Sequence, residues 1–184
     1  ASQSGNNDFN PADDVAQVLI VNKADQTITF DELQAKAFGD ADFSLTAEGG
    51  ASGNAIVFTS SDESVATISG STVTIVGIGT TTITASQPGN DNYNAAEDVE
   101  QTLIVNKADQ IVTFSALSAR VFGDADFNLT AEGGASGNAI VFTSSDESVA
   151  TISGSTVTIV GAGATTITAS QPGNDNYNAA EDVE

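Results

Sequence analysis

The sequence lacks four residue types altogether: cysteine, methionine, histidine and tryptophan. Without cysteine the chain can form neither a disulfide nor a thiolate metal site, and without histidine it lacks the commonest general base. Nucleophilic and acid–base catalysis are left with few residues to carry them, so we expect no enzymatic activity. Burial of apolar side chains must supply the stability.

Positive charge is also scarce, with four Lys and Arg residues against 25 Asp and Glu and a formal net charge of -21. Nucleic acids and anionic lipids attract proteins through basic side chains, so we expect no nucleic-acid partner. No apolar run approaches the roughly 18 residues of a membrane helix, so we expect no direct membrane insertion. Hydrophobic residues still make up 40% of the chain, which predicts a folded protein.

An internal repeat of 84 residues organises the chain. Residues 22–100 align with residues 106–184 without a gap, and 10 of the 79 aligned positions differ. The motif Asn-Lys-Ala-Asp-Gln at 22–26, for example, returns at 106–110. We therefore divide the chain into repeat 1 (22–105) and repeat 2 (106–184), which are copies of each other.

The same offset reaches the first residues, because residues 1–21 match residues 85–105, which close repeat 1. Residues 1–21 are thus predicted to be the final strand of a preceding repeat or a donor strand, and repeat 2 lacks its final strand. Two interpretations stay open. One is a window on a longer array, which the periodicity favours because any crop of an array has such ends. The other is donor-strand exchange between chains, which builds an open filament.

Apolar and polar residues alternate within each repeat, which is the period of β-strands. In repeat 1 the alternation predicts seven short strands, near residues 27–30, 42–47, 56–58, 66–68, 73–75, 81–85 and 103–105. Clusters of Gly, Asn, Asp and Ser separate them, as turns require. The predicted fold class is all-β, with tandem β-sandwiches of about seven strands each.

Three segments, 57–62, 64–69 and 77–85, give each repeat a family resemblance. They resemble the bacterial immunoglobulin-like repeats of group 2, the intimin and invasin type, with Phe58 and Phe142 in place of the family's core tryptophan. The Gly-Asn-Asp-Asn-Tyr-Asn-Ala-Ala segment at 89–96 resembles repeat arrays in large surface or secreted proteins of Bacteroidetes-like bacteria. The resemblance implies that the tandem sandwiches are immunoglobulin-like β-sandwiches. It also implies that they form an extracellular rod, at the cell surface or in a secreted filament, whose tip domains bind the ligand.

Acidic loops offer hard oxygen ligands, so a structural calcium ion is the one cofactor considered. The candidate ligands are Asp40, Asp42, Asp91, Asp124, Asp126 and Asp175. None of them fits the spacing of an EF-hand, and the alternative is that they are turn residues that also keep the protein soluble. No catalytic residue and no other cofactor is predicted.

The two tyrosines, Tyr93 and Tyr177, lie in asparagine-rich turns. They could stack on sugars, but the favoured interpretation is that each caps the end of its sandwich, with the hydroxyl bonded to backbone.

Together these features predict a mechanical role, as a stiff extracellular spacer, stalk or fibre of a bacterial adhesin or surface filament. Short linkers at 22–24 and 106–108 would limit bending. The expected partners are neighbouring repeats of the same chain or copies of the chain itself, while a host, prey or surface ligand is not identified. The alternatives are a subunit that self-assembles by donor-strand exchange, or an adhesin module that binds a ligand through grouped exposed aromatics.

Overall fold

The computed structural model describes all residues from Ala1 to Glu184, and its regular structure consists of β-strands alone. The all-β prediction is therefore confirmed. No helix is present, so none is long and apolar enough to span a membrane. The strands of repeat 1 are β1 (Thr29–Phe30), β2 (Lys36–Ala37), β3 (Phe43–Ser44), β4 (Ala47–Glu48), β5 (Val57–Ser60), β6 (Ala66–Ser69), β7 (Thr72–Ile75), β8 (Gly79–Ser86) and β9 (Val99–Asn106).

Repeat 1 forms two main sheets and a short strand pair. The larger sheet has the order β2-β9-β8-β5, the second has the order β3-β7-β6, and β1 pairs with β4. β2 pairs with β9 in parallel, and the other strand pairs of the repeat are antiparallel. β9 therefore lies inside the larger sheet, between β2 and β8, although it is the last strand of the repeat.

Because side chains alternate between the two faces of a strand, every second side chain lies in a common core. Eleven buried residues form a single cluster, to which the larger sheet contributes Ile83, Ala85, Leu103 and Val105. Val73 and Ala66 come from the second sheet, and Phe30 comes from β1. Because both sheets bury side chains in one cluster, the arrangement is β-sandwich-like.

Two strand predictions were wrong in detail. The run at 42–47 was predicted as one strand, but it is divided into β3, which pairs with β7, and β4, which pairs with β1. Between them the Leu45 amide donates to the Ser71 carbonyl at 2.8 Å. β2 was not predicted at all. Alternation shows which face a side chain occupies, but it does not identify the neighbouring strand.

Repeat 2 reproduces most of these elements but is less complete. Its strands are β10 (Thr113–Phe114), β11 (Phe127–Asn128), β12 (Ala131–Glu132), β13 (Val141–Ser144), β14 (Ala150–Ser153), β15 (Thr156–Ile159) and β16 (Ile167–Ser170). No counterpart of β2 or of the full β9 is formed, and β16 is half as long as β8. The core is also divided, into buried clusters of four and three residues.

Residues 1–21 form no strand and contribute nothing to either core. Their backbone makes a small loop in which Gln3 and Ala12 form one bridge. The apolar side chains at 18–21 are 75–88% exposed, which is unusual for such a run.

Candidate functional site at the repeat junction

A network of buried glutamines ties two loops together at one end of each repeat. In repeat 1 the Gln87 Oε1 atom accepts from the Gly50 amide at 2.7 Å, and its Nε2 atom donates to the Asn54 carbonyl at 2.6 Å. Gln26 works in the same way, accepting from the Ser52 amide and donating to the Pro88 carbonyl. Each loop group is thereby satisfied without water, which fixes the shape of this end.

The same network recurs in repeat 2, where Gln110 and Gln171 hold the loop at 132–138. It also explains the paired glycines of this loop. A Cβ atom at Gly49 would lie 2.6 Å from the Gln87 Nε2 atom, and one at Gly50 would lie 2.5 Å from the Gln26 Cβ atom. Larger residues would push the buried glutamines out of place.

The asparagine-rich segment anchors the start of its own repeat. The Ala108 amide donates to the Asn176 carbonyl at 3.0 Å, and the Asn178 amide donates to the Ala108 carbonyl at 2.9 Å. The Lys107 Nζ atom adds a hydrogen bond to the Asn174 carbonyl at 2.7 Å. Ala108, the residue by which the asparagine-rich segment is bonded to the start of repeat 2, therefore lies only two residues after the end of β9.

Repeat 1 also contacts the residues around the start of repeat 2, through Phe38. The Phe38 amide donates to the Asn106 carbonyl at 2.9 Å, at the last residue of β9. The Phe38 ring meets the Tyr177 ring edge-on, with centroids 5.7 Å apart and an interplanar angle of 87°. This T-shaped geometry is favourable for aromatic pairs. We call Phe38, Asn106, Lys107, Ala108 and Tyr177 the junction.

The sequence interpretation of the tyrosines was wrong in mechanism. Neither Tyr93 nor Tyr177 forms a hydrogen bond through its hydroxyl, and the Tyr177 ring packs across the junction instead. The sequence signal was present, because Phe38 and Tyr177 both belong to repeated motifs, but nothing in it paired one copy's phenylalanine with the other copy's tyrosine.

The two aromatic rings of the junction, Phe38 and Tyr177, each have a second copy that lacks its ring partner. Phe122, the copy of Phe38, is 66% exposed. Tyr93, the copy of Tyr177, has no aromatic ring beside it. The two repeats therefore carry complementary halves of a junction on their outer ends.

An open groove lies in repeat 2 where β9 lies in repeat 1. It has a volume of about 590 Å³, and 11 of its 16 lining residues are hydrophobic. Residues 163–167 on one side correspond to β8, and Arg120 on the other side corresponds to β2. Its lining includes three side chains of the core of repeat 2, Ala150, Val157 and Ile167.

The candidate calcium ligands do not converge. All six aspartates are exposed, and no group of three or more acidic side chains is arranged so that it could hold a metal ion. The Asp40 carboxylate instead accepts from the Ala37 amide, and Asp124 repeats this bond with Val121, as turn residues do. The calcium prediction thus gains no support from the geometry.

The pKa values of two other carboxylates are lowered by hydrogen bonds. Hydrogen bonds from the Ser64 hydroxyl and then the Ser64 amide lower the pKa of Asp62 below its ordinary value of 3.8. Ser148 lowers the pKa of Asp146 in the same way. These bonds favour the ionised form, which is the opposite of what a general acid needs.

No protein-family model matches the chain, and a search of curated proteins finds no relative.

Proposed function

We propose that this chain is a length of an extracellular bacterial spacer, stalk or fibre, built from tandem immunoglobulin-like β-sandwiches of about seven strands each. Its role is mechanical: it acts as a spacer that keeps the other domains of the array apart and displays them. The copied repeats, the sandwich-like core and the resemblance to intimin-type repeats support this proposal.

The junction is the observation that carries it. β9 runs out of the core of repeat 1, and only Lys107 separates its last residue from the anchored Ala108. A linker this short, fixed by backbone hydrogen bonds and by the Phe38–Tyr177 contact, restricts rotation between the repeats. Restricted rotation at every junction is what makes an array stiff.

Surface chemistry fits the same role. The net charge of -21 lowers non-specific association of the chain with other acidic surfaces. The aromatics that are strongly exposed, Phe9 and Phe122, do not form a group, so no observation favours a carbohydrate-binding or protein-binding patch.

Stiffness can be measured by double electron–electron resonance between two nitroxide labels. Because the chain has no cysteine of its own, labels attach only at cysteines that are introduced. Nitroxide labels on Ser69→Cys and Ser153→Cys, at the same exposed position of the two repeats, report the distance between them. Labelled chains are diluted with unlabelled chains, so that only distances within one chain are seen. We expect one narrow distance distribution.

Two variants make this test specific. Tyr177→Ala should broaden the distribution, whereas Tyr93→Ala, the same residue without a ring partner, should leave it unchanged. Inserting Gly-Ser-Gly-Ser after Asn106 supplies the flexible reference. A distribution in the unmodified chain as broad as that reference would overturn the proposed spacer role.

A further inference from the structure

The first and last segments of repeat 1 run side by side in the same direction. Near one end of the repeat, Ala24 forms a parallel bridge with Tyr93. Near the junction, β2 pairs in parallel with β9, and Lys36 lies opposite Val105. In both places the partners are 69 positions apart in the chain, so residues 24–37 and 93–106 keep a single register.

Hydrogen bonds fix the start of this pairing. The Ala24 amide donates to the Asn92 carbonyl at 2.9 Å, and the Asn94 amide donates to the Ala24 carbonyl at 2.8 Å. The Asn94 Nδ2 atom also donates to the Asp25 Oδ1 atom at 2.8 Å. We call Ala24, Asp25, Asn92 and Asn94 the entry contact. Repeat 2 forms the same three bonds at residues 108–109 and 176–178, so the contact is a property of the repeat.

The other end of the pairing lies at the junction. There the Phe38 amide, directly after β2, donates to the Asn106 carbonyl at 2.9 Å. Between the two ends, the Gln101 Nε2 atom donates to the Phe30 carbonyl at 2.7 Å. β8 pairs with the opposite edge of β9. β9 is therefore held on both edges, and its Leu103 side chain is fully buried.

Tension along the chain loads these two segments in opposite directions. It enters repeat 1 before Ala24 and leaves after Asn106, so it pulls the first segment towards the entry contact and β9 towards the junction. Because the segments are parallel, this force runs along them, and the bonds between them share the load in shear. Only Lys107 separates β9 from Ala108, where the entry contact of repeat 2 begins. Tension that leaves repeat 1 thus passes directly into the corresponding contact of repeat 2.

We propose that the parallel pairing of residues 24–38 with residues 92–106 is a shear clamp that sets the force at which the repeat unfolds. The inference rests on the proposed spacer function, to which it adds the element that bears the load. Forced unfolding is governed by the unfolding rate, and therefore by the barrier along the direction of pulling. Withdrawing β9 along its own axis breaks the contacts on both of its edges together and exposes Leu103, so this barrier is high.

The test is to pull the same folded repeat in two directions with optical tweezers. The full chain has no cysteine, so handles attach at two introduced cysteines. Asn22→Cys with Asn106→Cys applies tension along the clamp. Asn22→Cys with Asp91→Cys places both handles beside the entry contact, so the two segments are peeled apart from one end. The three side chains are exposed and form no hydrogen bond in the structure.

The clamp predicts a strong dependence on direction. Unfolding through residues 22 and 106 should need a several-fold higher force than unfolding through residues 22 and 91, because peeled bonds break one after another. The gain in length identifies each event, since 84 residues of chain are released in the first case and 69 in the second, at about 3.3–3.6 Å per residue. Equal forces in the two directions would overturn the proposal.

Matched proline variants locate the resistance within the repeat. Ala24→Pro removes the amide that bonds to the Asn92 carbonyl and should lower the force measured through residues 22 and 106. Thr27→Pro imposes the same constraint at an exposed residue whose amide forms no hydrogen bond in the structure, and it should change that force little. An equal loss of force in both variants would contradict a role of the entry contact. The comparison of directions uses neither variant, so it stands even where a proline prevents folding.

Failure of the clamp can be told apart from failure of the spacer role. The distance between the nitroxide labels is measured without force and reports only how firmly the two repeats are held. A narrow distance distribution together with equal unfolding forces would leave the spacer role intact and remove the clamp. A broad distribution together with direction-dependent forces would do the reverse.

Discussion

Phe38 of repeat 1 and Tyr177 of repeat 2 meet edge-on, with ring centroids 5.7 Å apart, although they are 139 positions apart in the chain. This contact joins the two repeats at the point where the Phe38 amide also bonds to the end of β9. It couples a loop of one repeat to the asparagine-rich segment of the next. The junction is therefore a tertiary contact rather than a bare linker.

A double-mutant cycle should measure this coupling. Removing both rings, as Phe38→Ala and Tyr177→Ala, should cost less than the sum of the single changes by about 0.5–1.5 kcal/mol, the usual value of an aromatic pair. The measurement is urea unfolding of the four chains. Phe122→Ala with Tyr177→Ala is the control pair and should be additive. Additivity of the Phe38 pair would show that the rings touch without stabilising the junction.

The two repeats should differ in hydrogen exchange despite their nearly identical sequences. β9 pairs with one edge of β8 from Gly79 to Ala85, whereas the equivalent edge at 163–167 is open. In dilute solution, amides at 164–168 should exchange much faster than those at 80–84. The measurement is exchange followed by mass spectrometry of the separated peptides.

The reason for that difference can be checked in the same experiment. Appending a copy of residues 101–106 after Glu184 should slow exchange at 164–168 to the rate seen at 80–84. Burial of the added Leu and Val side chains contributes about 1.5–3 kcal/mol each before the entropy of ordering the strand is subtracted. Unchanged exchange would show that an absent strand is not what exposes this edge.

Much of the fold could be predicted from alternation alone. The strand positions around Phe58, Ile68, Val73 and Ile83 were found because each strand buries one face, and a buried face leaves a period of two in the sequence. The all-β class follows from the same signal. The seven-strand immunoglobulin-like topology stays a prediction.

What could not be predicted was pairing between segments distant in the chain. Lys36 and Ala37 carry no strand pattern, and they form β2 because β9 offers them a free edge. The hydrophobic run at 18–21 has the composition of a strand but no partner to pair with. Both outcomes depend on neighbours rather than on local preference.

The candidate site was hidden for a related reason. Gln26 and Gln87 are buried polar residues. Composition does not predict that the side-chain amide of a glutamine will be buried and hydrogen-bonded to a loop. The acidic residues were more conspicuous, but they lie exposed and apart. The sequence thus directed attention to charge, whereas the structure places the specific contacts in amides and aromatic rings.

Loss of one buried amide should destabilise its repeat markedly. Gln87→Ala leaves the Gly50 amide and the Asn54 carbonyl without partners, and an unsatisfied buried group costs about 1–3 kcal/mol. Gln34→Ala is the control, because that glutamine is exposed and its side chain forms no hydrogen bond in the structure. The free energies of unfolding come from urea titration. Equal values for the two variants would contradict a structural role for the glutamine network.

The folded chain should lose stability on acidification as the hydrogen-bonded carboxylate of Asp62 becomes protonated. Hydrogen bonds from Ser64 lower the pKa of Asp62 in the folded state below its ordinary value of 3.8. A group with a lowered folded pKa adds stability above the unfolded pKa, and this contribution is lost as the pH falls from there through the folded pKa. Ser64→Ala should therefore raise the pKa of Asp62 towards 3.8 and reduce the loss of stability on acidification. The carboxyl carbon shifts of Asp62 and Asp146, followed by NMR from pH 6 to pH 2, measure both groups in one titration. Asp146 keeps Ser148 in this variant and should titrate as before, so a shift of both aspartates would mean that Ser64 acts through the whole fold rather than through its own hydrogen bonds.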